Sequence, residues 1–176
     1  NEATQSIVVG TSGTYAVQIT NGVCSATSPL TTVVVHANPV ATISSSASAI
    51  CQGNSVTLTA APATGYNWSN GATTQSITVS TAGTYAVTAT NAYGCTNTSA
   101  PLAISVSANP SAYIAANGPV TFCNGSSVVL TANAGGASYL WSNNATTQTI
   151  TATASGNYFV TITNAAGCST VSNEIS

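Results

Sequence analysis

Apolar and polar residues alternate in short runs along this chain. Val56, Leu58 and Ala60 alternate with Thr57 and Thr59, and Tyr85, Val87 and Ala89 alternate with Ala86 and Thr88. Leu102, Ile104 and Val106 repeat the pattern. A period of two puts every second side chain on one face, which predicts half-buried antiparallel strands. Asn70-Gly71 and Ala92-Tyr93-Gly94 break the runs as turns do. No segment carries a helical period of useful length. The prediction is an all-β chain.

The pattern is also repeated at long range. Thr73-Thr74-Gln75-Ser76-Ile77-Thr78-Val79 returns as Thr146-Thr147-Gln148-Thr149-Ile150-Thr151-Ala152, with an earlier copy at Ala3-Thr4-Gln5-Ser6-Ile7-Val8-Val9. Gly13-Thr14-Tyr15, Gly83-Thr84-Tyr85 and Gly156-Asn157-Tyr158 follow these segments, and then come Cys24, Cys95 and Cys168. The upstream half occurs twice, with Cys51 before Ser55–Ala60 and Cys123 before Ser127–Ala132. Trp68 and Trp141 lie 73 residues apart, and the period is 71 to 73 residues. Ala37-Asn38-Pro39 and Ala108-Asn109-Pro110 mark the junctions, because proline ends a ladder and starts the next segment extended. Three units result: residues 1–38, the back half of a repeat; 39–109, a whole repeat; and 110–176, a repeat lacking the end of its last strand. The expectation is a window from a longer array. About seven short strands per repeat point to a small sandwich.

Composition narrows the role. The 176 residues contain no Lys or Arg and two acids, Glu2 and Glu174, with 1% charged residues overall. Without basic residues there is no electrostatic footprint for phosphate, which argues against nucleic acid. Carboxylate-rich calcium sites are excluded for want of carboxylates. No run approaches the roughly 18 apolar residues of a spanning helix, so membrane insertion is not expected. General acid–base chemistry draws on His, Asp, Glu or Lys. Here His36 is the lone histidine, read as a junction residue, and the two glutamates are read as solvated ends. No catalytic, cofactor-binding or metal site is expected, and the chain is read as non-enzymatic.

Cys51-x-Gly53-x-Ser55-Val56-x-Leu58, Tyr66-x-Trp68-Ser69-Asn70-Gly71, Ala82-Gly83-Thr84-Tyr85-x-Val87 and Gly94-Cys95 together resemble the immunoglobulin-like repeats of very large surface adhesins in gliding Bacteroidota. Related polycystic-kidney-disease-type repeats share the two cysteine positions. The resemblance spans essentially the whole chain. It implies tandem immunoglobulin-like β-sandwiches, secretion by the type IX route and display at the cell surface as spacers or fibre-forming stalks. On this comparison Trp68 and Trp141 plug the space between sheets. Tyr15, Tyr85 and Tyr158 match tyrosine corners, in which the hydroxyl bonds nearby backbone. Leu58 and Val87 stand where antibody domains place their inter-sheet disulfide, so the cysteines must act elsewhere.

Five cysteines in a secreted β array are expected to be oxidised rather than metal-bound. Two pairings compete. One joins Cys51 to Cys95 and Cys123 to Cys168 inside each repeat, leaving Cys24 for a partner outside the fragment. The other joins Cys51 to Cys168 across a junction. In an immunoglobulin sandwich the turns that hold Cys51 and Cys95 sit at opposite ends. Disulfides need α-carbons within about 7 Å, which favours the interdomain staple. Under that pairing Cys24 and Cys95 look upstream and Cys123 looks downstream.

The expected role is a segment of an extracellular filament, stalk or adhesin shaft. Its partners are neighbouring repeats, with lateral self-association into fibres favoured by the nearly uncharged surface. The alternative is a binding module for glycans or ice, which would need exposed aromatic rings or a flat threonine face. Thr147, Thr149, Thr151 and Thr153 alternate, as do Thr57 and Thr59, but threonine is also an ordinary outward strand residue. Four sequons, at Asn67, Asn97, Asn124 and Asn144, are read as chance in a chain this rich in Asn, Ser and Thr.

Overall fold

The computed structural model describes residues 5–176; Glu2 and the start of the first repeat copy, Ala3 and Thr4, lie outside the described residues. Every regular element among them is a strand. The first unit holds β1 (Gly13–Tyr15), β2 (Gln18–Asn21), β3 (Cys24–Thr27) and β4 (Thr31–Val33). The middle unit holds β5 (Ile43–Ser45), β6 (Ala49–Cys51), β7 (Val56–Ala60), β8 (Gly65–Trp68) and β9 (Ser76–Val79). It continues with β10 (Gly83–Tyr85), β11 (Val87–Thr90), β12 (Thr96–Thr98) and β13 (Leu102–Ser107). The third holds β14 (Ile114–Ala116), β15 (Val128–Ala132), β16 (Ser138–Trp141), β17 (Thr149–Ala152), β18 (Val160–Thr163) and β19 (Ser169–Val171).

In the middle unit β5-β7-β9 form one antiparallel sheet. Opposite it, β8 and β12 flank β11, and β10 pairs with β13. The alternation read from the sequence decides which side chains meet. Val56, Leu58, Ala60, Ile77 and Val79 point inward from one sheet, and Trp68, Tyr85, Val87 and Ile104 from the other, forming one buried cluster. Leu58 and Val87 are both 0% exposed, so the space an inter-sheet disulfide would fill is close-packed with aliphatic side chains. The first strand switches sheets. At Ser45–Ala47 the Ser45 hydroxyl donates to the Ala47 carbonyl (2.6 Å), and the chain crosses to run as β6, parallel to β13.

About seven strands were expected per repeat; the middle repeat shows nine segments, which make six strands of which three are each interrupted once. Tyr85 pairs with Leu102, whereas Thr88 pairs with Thr98, so one extra residue sits on the β12–β13 side. Ser99 holds this bulge. Its N–H donates to the Val87 carbonyl (2.9 Å), and its hydroxyl accepts the Val87 N–H (3.1 Å). Ser28 does the same for Val17, and Ser172 for Val160. Ser99 is the one buried polar residue among those described. Ser99→Ala leaves the buried Val87 N–H without an acceptor and is expected to cost about 1–3 kcal/mol in urea unfolding. Ser28→Ala, beside an exposed Val17, should shift nothing measurable.

The third unit repeats the plan with β14-β15-β17 against β16-β18-β19 and a second cluster around Trp141, Leu130, Val160 and Ile162. It has no counterpart of β6: residues 117–127 form no strand. Its last strand extends β19 only by the bridge Tyr158↔Ile175. The first unit is one hairpin, β1–β2 against β3–β4, interrupted at the Ser28 bulge, with no buried residue among those described. Tyr15 is accordingly half-buried beside no closed core, unlike Tyr85, and Tyr158 is also half-buried.

Candidate functional site

Cys51, Cys168, Cys95 and His36 lie at the two junctions between repeats. At the second junction Cys51, the last residue of β6, is bonded to Cys168 (S–S 2.05 Å, Cα–Cα 5.6 Å) across 117 residues of sequence. Two local features place the partners. The parallel ladder seats Cys51 beside Ser107, at the end of β13. Cys168 lies in the turn before β19, where the Asn164 side chain accepts N–H bonds from Ala166 and Cys168 (both 3.0 Å). The same side chain donates across the junction to the Ala108 carbonyl (2.9 Å). Asn109 Nδ2 donates to the Gln52 carbonyl (3.1 Å), and the Gln52 N–H donates to the Ser107 carbonyl (2.8 Å). The linker is therefore gripped from both sides.

The first junction is built alike. Asn91 accepts from the N–H groups of Tyr93 and Cys95 (both 3.0 Å) and donates to the Ala37 carbonyl (2.8 Å). Asn97 adds a bond to the Pro39 carbonyl (3.0 Å). His36 stacks on Tyr93, with ring centroids 3.5 Å apart. Cys95 Sγ is 3.7 Å from the His36 carbonyl, the place that Cys168 Sγ holds at 3.9 Å from that of Ser107. Cys24, Cys95 and Cys123 are free thiols here. A bond between Cys51 and Cys95 is not formed. Cys51 stands beside Ser107 and Cys95 precedes Thr96, so β12–β13 separates them by about 12 extended residues, roughly 40 Å.

The tryptophans lie in the cores, each 2% exposed, with the indole N–H satisfied by the Thr74 (2.8 Å) or Thr147 (2.7 Å) carbonyl. The Tyr15, Tyr85 and Tyr158 hydroxyls donate to the carbonyls of Thr11, Thr81 and Ala154, four residues upstream in each case (2.9, 3.1 and 3.0 Å). The threonine row is shorter than its sequence: β17 holds Thr149 and Thr151, while Thr147 and Thr153 fall outside it. Thr59 and Ser76 bond each other through their hydroxyls (3.0 Å), as ordinary cross-strand neighbours do. Among the described residues no three His, Cys, Asp or Glu side chains gather where they could hold a metal ion, and no helix is long and apolar enough to cross a membrane.

Asn91 and Asn164 were not singled out from the sequence. Their signal is present as Asn-Ala-x-Gly-Cys, at Asn91–Cys95 and Asn164–Cys168. It read only as a turn, because the linker carbonyls these side chains reach lie 54 and 56 residues away.

Two facts decide the fold class: the facing sheets of the middle and third repeats, and, in the middle repeat, a first strand that leaves one sheet to run parallel to the last strand of the other. The chain is all-β, built of tandem immunoglobulin-like β-sandwiches. The chain is similar to several solved structures. A mouse coronavirus receptor-binding domain complexed with its murine receptor includes a chain similar to this one at 15% identity, over 78% of this chain and 98% of that one, with a TM-score of 0.41. The fibronectin(III)-like modules of Clostridium thermocellum CbhA match at 12% identity over 76% and 90%, with a TM-score of 0.41. The N-terminal four Ig domains of Dscam1 match at 12% identity over 99% and 61%, with a TM-score of 0.30. No protein-family model matches the chain, and no curated protein does.

Proposed function

We propose that the chain is a structural segment of a secreted, non-enzymatic cell-surface shaft, of the kind formed by the Bacteroidota adhesin repeats it resembles. Its units are 1–38, 39–109 and 110–176, and its working parts are the junctions. The observation that carries the reading is the covalent bond between Cys51 of one repeat and Cys168 of the next. Repeats joined only by linkers swing on hinges; a disulfide beside a hydrogen-bonded linker removes that freedom. The bond also alters the path of a load applied at the chain ends. Tension runs to Cys51, crosses to Cys168 and leaves, so both tryptophan cores lie inside a closed loop that the force bypasses. The near-absence of charge suits lateral packing of such shafts. Glycan or ice recognition gains nothing from Trp68 and Trp141, which are buried, or from β17, which presents two threonines.

Single-molecule pulling from the two termini tests the reading. The oxidised protein is expected to withhold the 117-residue loop, and reductant should release about 40 nm of additional contour. Full extension of the native, oxidised protein without reductant would remove the shaft reading.

A further inference from the structure

The middle and third repeats share one sheet plan, yet the outward face of one sheet differs between them in chemistry. In the middle repeat Thr88 of β11 lies between Asn67 of β8 and Thr98 of β12, and the Thr88 and Thr98 hydroxyls bond each other (2.9 Å). In the third repeat the same row reads Leu140, Thr161 and Val171, from β16, β18 and β19. Phe159 stands two residues before Thr161 on the same face, where the middle repeat has Ala86. Leu140, Phe159 and Val171 are all exposed. Single exposed apolar residues are ordinary, but three on adjacent strands of one face form a patch. Folding does not require it, because the middle repeat closes the same sandwich with Asn67, Ala86 and Thr98 at these positions.

Polar groups bound the patch. Toward the linker lie Ser138, Thr163 and Ser169, the last two with their hydroxyls bonded to each other (2.8 Å). Toward the other end the Ser142 hydroxyl donates to the Asn157 carbonyl (3.0 Å). The patch is also lateral. A repeat stacked in line does not reach it: the middle repeat has neighbours at both ends, and Asn67 and Thr98 on its corresponding face are exposed. An occupant therefore approaches from the side of the array. It brings no charge to the contact, since neither the patch nor these bounding residues offer an ionic partner, and burying an unpaired charge is costly. A second copy of this chain meets that condition, having no Lys or Arg and only Glu2 and Glu174 as acids.

We propose that the third repeats of two copies pack face to face through Leu140, Phe159 and Val171, and that this contact joins parallel shafts side by side. The row suits a two-fold contact. β18 is the middle strand of β16-β18-β19, so an axis along it places Leu140 of one copy over Val171 of the other. Thr161 then faces Thr161, and Phe159 faces Phe159. Facing sheets pack about 10 Å apart with their strands nearly aligned, an arrangement this axis preserves. β18 runs toward the linker and ends beside Asn164, whose side chain bonds the Ala108 carbonyl. Two arrays related in this way run in the same direction, as shafts rooted on one surface do. Three side chains and a hydroxyl rim fall short of the roughly 800 Å² per partner of a stable dimer, so the contact is weak and reversible. The inference deepens the shaft reading and rests on it for the purpose of the contact. The pulling result concerns a bond within one copy, so the two fail separately.

The test is site-directed cross-linking of the whole chain. Cys24→Ser, Cys95→Ser and Cys123→Ser remove the free thiols and leave the staple in place. On that background Thr161→Cys sets a thiol on the axis, and Thr88→Cys sets one at the matching site of the middle repeat. With a short bis-maleimide at high protein concentration, Thr161→Cys is expected to give at least ten-fold more covalent dimer than Thr88→Cys. Adding Leu140→Asn and Val171→Thr, which install the middle repeat's residues, should lower that yield at least ten-fold. These changes lie outside the core, and tryptophan fluorescence checks that the core around Trp141 persists. Leu140→Cys mixed with Val171→Cys should cross-link more than either alone. Equal yields from Thr161→Cys and Thr88→Cys, or a yield that Leu140→Asn and Val171→Thr leave unchanged, would overturn the proposal. Leu140→Cys dimers in excess of the mixed product would overturn the parallel arrangement.

Discussion

Trp68→Ala is expected to unfold the middle repeat, or to bring it close to unfolding, while the third repeat stays folded. Trp68 joins both sheets of its sandwich: it pairs with Val87 on one and belongs to the same cluster as Leu58 and Ile77 on the other. Truncation removes a large buried ring and leaves a cavity between strands too short to collapse around it, at a cost of about 3–5 kcal/mol. It also leaves the Thr74 carbonyl without the indole donor. A sandwich of about 70 residues has little stability to spare, since whole domains hold roughly 5–15 kcal/mol. The measurement is urea unfolding with two probes. Trp141 remains as the fluorescence reporter of the third repeat, and circular dichroism reports both. The prediction is a new low-urea transition in circular dichroism with the Trp141 transition in place. A single unshifted transition would mean that Trp68 does not hold the sandwich together.

Cys51→Ser should act on shape and stability together. In the chain-entropy account, closing a loop of 117 residues stabilises the folded state by about 4–5 kcal/mol, all of which the substitution gives up. The native junction keeps its hydrogen bonds from Asn164 and Asn109, so the repeats are expected to remain folded but to move against each other. Small-angle scattering should show a broader distribution of interdomain distances, and urea should unfold the variant at lower concentration. Cys168→Ser should match it, and the double substitution should add nothing further, since both remove the same bond. Cys95→Ser, which removes a thiol rather than a bond, is the control and should leave the monomer's profile as it was. If Cys51→Ser scatters like the parent chain, the linker bonds alone hold the junction and the staple is redundant.

Much of the fold was legible because it depends on local pattern. Alternation at Val56–Ala60 and Leu102–Val106 named the faces that became the core, since a strand's side chains have no choice of period. The tyrosine corners were legible for the same reason, their hydroxyls reaching only four residues back. The bulge at Ser99 was not. A serine among many serines carries no mark of its role until the facing strand supplies Val87, 12 residues away, with an N–H to satisfy. The first unit was read from the repeat as a back half, but the exposure of its strands was not read from the pattern. Val17 and Ile19 have the character of core residues, yet they stand 53% and 68% exposed, because the strands that bury Val87 and Ala89 in the middle repeat have no counterpart against them.

The cysteines separate the two kinds of information most clearly. By itself the sequence determined that five thiols recur at two positions of a 71-to-73-residue β repeat, that no lysine or carboxylate cluster accompanies them, and that the two tryptophans mark sandwich cores. It left two pairings open, because spacing along a chain does not determine distance in space. Tertiary structure chose between them through one topological event, the crossing of the first strand at Ser45–Ala47. By running parallel to β13, β6 carries Cys51 to the far end of its sandwich, away from Cys95 and against the turn of the next repeat that holds Cys168. Whether that strand switches sheets depends on which edge accepts its backbone hydrogen bonds. That edge is assembled from residues more than 50 positions away, and no local pattern specifies it.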